Sequence, residues 1–199
     1  MKRILFFATV MSLASCRNLP DFDDLTYKAI VVTNHDANAK WSTYHTYYLP
    51  SNIASIGDDP LDSLMDNATA QPILNSIDQN MQARGYVKEL NPLMADLSLT
   101  VIAIKVTNVE YMYSGWWYGY YGWYYPYYPY YPYSYTYTYT TGSMVIDMMD
   151  VKNVQPGDTK ANVIWTNFDN GVLEFTTGTV LAVDAVNQAF KQSTYIQTN

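Results

Sequence analysis

From residue 27 onward the chain switches between stretches of period-two apolar spacing and stretches of helical spacing. Tyr27-Lys28-Ala29-Ile30-Val31-Val32-Thr33 is β-branched and aromatic-rich, which predicts a strand stopping at Asn34. A loop to Ser42 precedes a second predicted strand, Thr43 to Leu49, ended by Pro50, which has no ladder donor. Ser51 to Pro60 has loop composition. Ile73, Leu74, Ile77 and Met81 then make one apolar helical face. Asp62 or Asn67 is its candidate cap, Pro72 fits a first turn and puts the secure start near Ala70, and Gly85 is the expected stop. Asp96 to Val101 alternates and Ile102 to Val106 is nearly continuously apolar, as in a strand moving toward the centre of a sheet.

After a long interruption the alternation resumes. Tyr133, Tyr135, Tyr137 and Tyr139 share one parity, while Met144, Ile146 and Met148 take the other, so a bulge or a change of buried face is expected at Gly142. Pro156-Gly157-Asp158 signals a turn and Ala161 to Trp165 a returning strand. Thr179 is the candidate cap of a last helix bearing Ala182, Val183, Val186, Ala189 and Phe190 on one side.

The interruption, about 111–139, is the most unusual part of the chain: tyrosine, tryptophan and proline crowd together and no charge occurs before Asp147. Because Leu97 to Val109 and Tyr133 to Met149 read as neighbouring strands, the tract is expected to be the distal end of a long hairpin. Tyr-Tyr-Pro recurs through Tyr124 to Pro132, a spacing that suits polyproline II with its three residues per turn. Trp116, Trp117, Tyr120, Tyr121, Trp123, Tyr124, Tyr125, Tyr127, Tyr128, Tyr130 and Tyr131 are the candidate binding residues, since such rings offer apolar faces and polar tips. Hairpin elongation by low-complexity drift produces the same composition.

The N-terminus bears on location. Lys2-Arg3 is followed by the mostly apolar Ile4 to Met11, too short for a bilayer, and then by Leu13-Ala14-Ser15 before Cys16. This resembles the bacterial lipobox, which implies a signal peptide over 1–15, cleavage after Ser15 and lipidation of Cys16, the only cysteine. Residues 16–26, with Asp21, Asp23 and Asp24, read as an acidic tether whose segment Arg17 to Asp24 reaches roughly 25 Å if extended. The formal charge of -7 becomes -9 without Lys2 and Arg3, so a nucleic-acid partner is not expected. A single cysteine excludes an internal disulfide.

Asp36 with Tyr44-His45-Thr46-Tyr47, Arg84-Gly85-Tyr86 with Ala95-Asp96-Leu97, and Gly142 to Asp147 with Asp150 and Ile164-Trp165 follow one another in the order of a known family. In these blocks the chain resembles the bacterial lipoprotein family catalogued as domain of unknown function 4136. The chain departs from it at Thr166-Asn167, where members often have glycine, and at Gln192-Ser193-Thr194, where they often have proline. The resemblance implies an α+β, two-layer sandwich over 27–199, with two helices on one face of a mostly antiparallel sheet. It also implies an envelope lipoprotein, and it brings no established reaction.

Chemistry outside the tract is sparse. His35 and His45 fit neither a His-Glu-x-x-His nor a Cys/His spacing, so loop capping and a cross-strand contact are their expected roles, and no metal or cofactor is expected. Asp58-Asp59, and Asp147 with Asp150, are read as solvated carboxylates, the second pair having opposite strand parity. No nucleophile elbow or phosphate-cradling loop occurs. The expected function is therefore a non-enzymatic lipoprotein of the Gram-negative cell envelope, in the outer membrane, anchored by its N-terminal lipid. Its aromatic arm is expected to serve protein interaction or assembly. The alternatives are a glycan-binding module and a hydrolase using His35 with Asp36.

Overall fold

The computed structural model describes residues 30–56, 64–105, 128–132, 142–155, 157–173 and 178–198. Among them, strands β1 (Ile30–His35), β2 (Thr46–Tyr48), β3 (Ala54–Ile56), β4 (Val87–Lys88), β5 (Leu97–Ile104), β6 (Tyr128–Tyr130), β7 (Ser143–Asp150) and β8 (Lys160–Asn170) form one sheet. Two helices, α1 (Asn67–Ala83) and α2 (Gly178–Gln192), pack on one side of it. The fold is α+β with a mostly antiparallel sheet, as the pattern and the resemblance implied.

Three long strands, β5, β7 and β8, make the antiparallel centre, with Leu97 opposite Asp150 and Met144 opposite Asp169. Each outer edge of this centre is lined by two short pieces, one toward each end. On the β8 edge, β1 pairs antiparallel along residues 165–170 and β6 pairs parallel along 160–162. On the β5 edge, β2 and β3 pair parallel at successive positions, and β4 follows outside β2. The first two strands therefore lie at opposite edges of this centre, although they are neighbours in sequence.

Side-chain parity explains the core. Leu97, Leu99, Val101 and Ala103 of β5 and Met144, Ile146 and Met148 of β7 face the helices with Tyr47, Trp165, Ile73, Ile77, Val186 and Phe190. Burying a side chain of this size contributes about 1.5–3 kcal/mol, so one such layer is enough to hold both helices down. The other parity is buried as well: Thr100, Ile102, Val145, Asp147, Met149, Thr166 and Phe168 are all nearly inaccessible.

Several boundaries differ from expectation. Asp66 caps α1, its carboxylate accepting from Thr69 N–H at 3.0 Å, whereas Asn67 is already helical and Asp62 lies outside the described residues. Pro72 sits inside the helix, not in its first turn. It removes the bond that would end on the Ala68 carbonyl, and Ala68 is exposed, so water can take its place. Gly142 has φ +76°, the left-handed conformation that starts β7, but the register shift falls between Met148 and Met149, where β8 carries the additional Ile164. Thr179 is the second residue of α2, not its cap. At the two departures from the family pattern, Thr166 and Asn167 simply continue β8, and Ser193 follows the last turn of α2.

Candidate functional site

The aromatic tract re-enters the described structure at Tyr128, and there it is part of the sheet. Ile104 and Gly142 close the ends of the interruption, Gly142 N–H donating to the Ile104 carbonyl at 2.8 Å. Yet Tyr128, Pro129 and Tyr130 pair with Lys160, Ala161 and Asn162, at the opposite end of the sheet. The length of β5 separates the two places, about 25 Å at ~3.3 Å per residue. A simple hairpin tip cannot reach that position, so the expected distal extension is corrected: part of the tract lies back on the domain. The polyproline reading is corrected over the same residues, because they form a β-ladder. Among the described residues β6 pairs with β8 alone, and such an edge position tolerates Pro129.

Tyr130 is 50% exposed, with the Lys160 ammonium 5.9 Å from its ring centre. Tyr131 turns the other way, over the face remote from the helices, and packs against Met149, Val151, Ala161 and Val163 with Tyr48. Its hydroxyl donates to Asp147 Oδ2, and the Thr166 hydroxyl donates to Asp147 Oδ1 at 2.7 Å. Asp147 is thus the floor of the tract's attachment. The reading of Asp147 as solvated is overturned: it is 1% exposed. Burial pushes its carboxyl up to about 6, with the Tyr131 and Thr166 hydrogen bonds pulling the other way. Parity had separated Asp147 from Asp150 correctly, and Asp150 accepts the Tyr44 hydroxyl at 2.9 Å on the helix side.

Trp116, Trp117, Tyr120, Tyr121, Trp123, Tyr124, Tyr125 and Tyr127 lie outside the described residues, as do Leu13, Ala14, Ser15, Cys16 and Asp58-Asp59. For Tyr128 the backbone alone is described. The structure brings together Tyr130, Tyr131 and the start of β8, and adds Asp147 and Thr166, which pattern had assigned no role at the tract.

The histidines are placed by packing. His35 is stacked on Tyr195 at 4.0 Å, while Asp36 Oδ1 accepts from the backbone and side-chain amides of Asn38 at 2.9 and 3.0 Å. The pair is not arranged as base and orienter. His45 Nδ1 lies 2.9 Å from the Thr198 hydroxyl, and its backbone N–H donates to Asp96 Oδ2 at 2.7 Å. Asp96 also pairs with Lys152 at 3.2 Å, tying β2, β5 and the turn after β7 into one corner.

The other residues that carried the resemblance are similarly occupied. Tyr47 donates to Asp78 Oδ1 at 2.6 Å, which joins the sheet to α1. Burial first, then the Asp78 hydrogen bond, holds the Tyr47 phenol well above its ordinary range, and burial with Asp150 does the same for Tyr44. Arg84 donates to the Phe190 carbonyl at 2.7 Å with its guanidinium 4.9 Å from the Phe190 ring, so it clamps α1 to α2. Trp165 donates from Nε1 to Ser193 Oγ at 2.9 Å. Among the described residues no group of three His, Cys, Asp or Glu is placed to hold a metal ion, and no helix is long and apolar enough to cross a membrane.

An eight-stranded, mostly antiparallel sheet with two helices on one side, as the described residues form it, defines a small α+β domain. The profile of the family described as Domain of unknown function (DUF4136) matches residues 31–193, and the chain belongs to that family. It is similar to a crystal structure of a DUF4136 family protein from Bacteroides thetaiotaomicron VPI-5482, with 33% identity over 86% of this chain and 99% of that chain and a TM-score of 0.75. A PelC dodecamer structure from Paraburkholderia phytofirmans aligns over 86% of this chain and 98% of that chain, at 11% identity and a TM-score of 0.41. No curated protein matches the chain.

Proposed function

We propose that the protein is a lipid-anchored component of the bacterial cell envelope whose domain is a non-catalytic platform, presenting the aromatic tract to another envelope protein. The observation that carries this reading is the rooting of the tract: β6 extends the sheet beside β8, and Tyr131 inserts its hydroxyl onto buried Asp147. A segment fixed at that point holds Tyr130 half exposed beside Lys160, and tyrosines presented on a rigid base bind at low entropic cost. The family-block residues Tyr44, His45, Tyr47, Arg84 and Trp165 all bond within the fold. That supports a scaffold more than a reaction centre. The lipid anchor is supported by Lys2-Arg3, the short apolar run and Leu13-Ala14-Ser15-Cys16.

Crosslinking in intact envelopes followed by pulldown tests the reading. The comparison is between the wild-type protein and a variant with Trp116, Trp117 and Trp123 changed to serine, which leaves Tyr128 to Tyr131 and their attachment in place. Loss of a crosslinked partner is expected; an unchanged partner set would defeat the proposal, and glycan-array binding by the soluble domain would replace it with sugar recognition. Cys16→Ser is expected to leave an unprocessed precursor that incorporates no palmitate.

A further inference from the structure

A second buried acid lies on the other face of the sheet, on the neighbouring strand β8. Asp169 points toward the helices, between Met144 of β7 and Val31 of β1, and is completely inaccessible. Asn167, two residues earlier on the same face, is equally buried. The Asn167 amide donates from Nδ2 to Asp169 Oδ2 at 2.8 Å. Both remaining oxygens, Asn167 Oδ1 and Asp169 Oδ1, have no hydrogen-bond partner among the described residues. Two acceptors and no donor beside a hydrogen-bonded acid and amide is an unbalanced set, and leaving such groups unpaired in a core is costly.

We propose that Asp169 is held in its protonated, neutral form and closes a cyclic carboxylic acid–carboxamide pair with Asn167, making this site a built-in sensor of alkaline pH. One proton on Asp169 Oδ1 resolves the imbalance, since it turns one orphan acceptor into a donor for the other. The Asn167 amide already supplies the reciprocal bond. Among the described residues only the Asn167 amide favours the charged form. β7 presents Met144 and β1 presents Val31 and Thr33, none of them titratable. The buried residues of α2 are Gly178, Ala182, Ala185, Val186, Ala189 and Phe190, while its Asp184 and Lys191 are exposed. Burial accordingly drives the Asp169 carboxyl up to about 8, against the single opposing hydrogen bond from Asn167. Because the folded value lies above the usual 3.8, the native state holds a proton that the unfolded chain has lost. Its stabilisation is complete below about 4 and is lost as pH rises through about 8.

Carbon-13 detection of the Asp169 side-chain carboxyl, assigned through its backbone correlations in the intact domain, tests this directly. A neutral-acid resonance at neutral pH that moves to the carboxylate position near pH 8 is expected. A carboxylate resonance at neutral pH overturns the proposal. So does one that is ionised in sodium buffer and neutral in tetramethylammonium buffer, which would mean a bound small cation. In an Asp147→Asn background, where the other buried acid is silent, folding at neutral pH should take up about one proton, and adding Asp169→Asn should bring that uptake close to zero. Equal uptake with and without Asp169→Asn would also overturn it.

Discussion

Tyr131 donates its hydroxyl to Asp147, joining the aromatic tract to the middle of β7 on the face away from the helices. The acceptor is fully buried, and among the described residues the Thr166 hydroxyl is the other side chain that donates to it, so the phenol is one of two groups that solvate it. Tyr131→Phe should therefore cost roughly 1–3 kcal/mol, the range for stripping a buried acceptor of one donor. The loss should be larger above pH 6, where Asp147 is ionised and its hydrogen bonds are charge-assisted, than well below it. Urea unfolding at the two pH values measures both. No loss at either would mean that the tract's attachment does not depend on this contact.

Asp147 itself sets a second pH dependence. Its folded value of about 6 stands above the usual 3.8, so the stabilisation from its neutral form is present below about 4 and disappears as pH rises through 6. The difference amounts to roughly 3 kcal/mol at about 1.4 kcal/mol per pH unit. Asp147→Asn removes the ionisation while keeping a carbonyl that accepts from one hydroxyl; the other must turn to accept from the new amide. The variant should be more stable than wild type at pH values well above 6 and no more stable at acid pH. Thermal midpoints across that range decide it, and a wild-type advantage that grows with pH would refute the assignment.

How far the sequence could be read depends on the range of the interactions. The helices and the long strands were legible because periodicity is a local property: Ile73, Leu74, Ile77 and Met81 do form the buried side of α1, and Met144, Ile146 and Met148 do face the helices. Partner choice was not legible. β1 and β2 are neighbours in sequence yet pair with β8 and β5 respectively, because each caps a different edge of the three central strands. Asp147 looked solvated because pattern gives parity and not cover, and here both faces of β7 are buried. The tract showed its composition plainly, but nothing local marks Tyr128 to Tyr130 as a parallel partner of Lys160 to Asn162. Its one signal was Asp147, a charged residue set between the apolar Ile146 and Met148.

Gly85 gives a test of local strain. Its φ is +88°, and a Cβ there would stand 2.7 Å from Thr198 Cγ2. Gly85→Ala therefore combines a left-handed alanine with a steric clash, and should lose about 1–3 kcal/mol. Thr198→Ser removes Cγ2 while retaining the hydroxyl opposite His45 Nδ1. The double variant should recover the steric part and retain the backbone part. Full recovery, or none, in a double-mutant cycle would show that one of the two causes is wrongly assigned.

Trp165 and Ser193 offer the clearest separation of a hydrogen bond from the packing around it. Trp165 is fully buried, lies 5.3 Å from the Phe190 ring, and donates to Ser193 Oγ just beyond the end of α2. Ser193→Ala removes the Oγ that accepts the buried indole N–H, a cost of about 1–3 kcal/mol. In Trp165→Phe the donor is gone but Ser193 still accepts from the Tyr195 hydroxyl at 3.3 Å, so the loss there comes mainly from the smaller ring. Ser193→Ala made in the Trp165→Phe background should consequently cost much less than it does alone. Denaturant midpoints of the four proteins give the coupling directly. Additive losses would place the contribution of Ser193 in the turn that follows α2 and not in its bond to the indole.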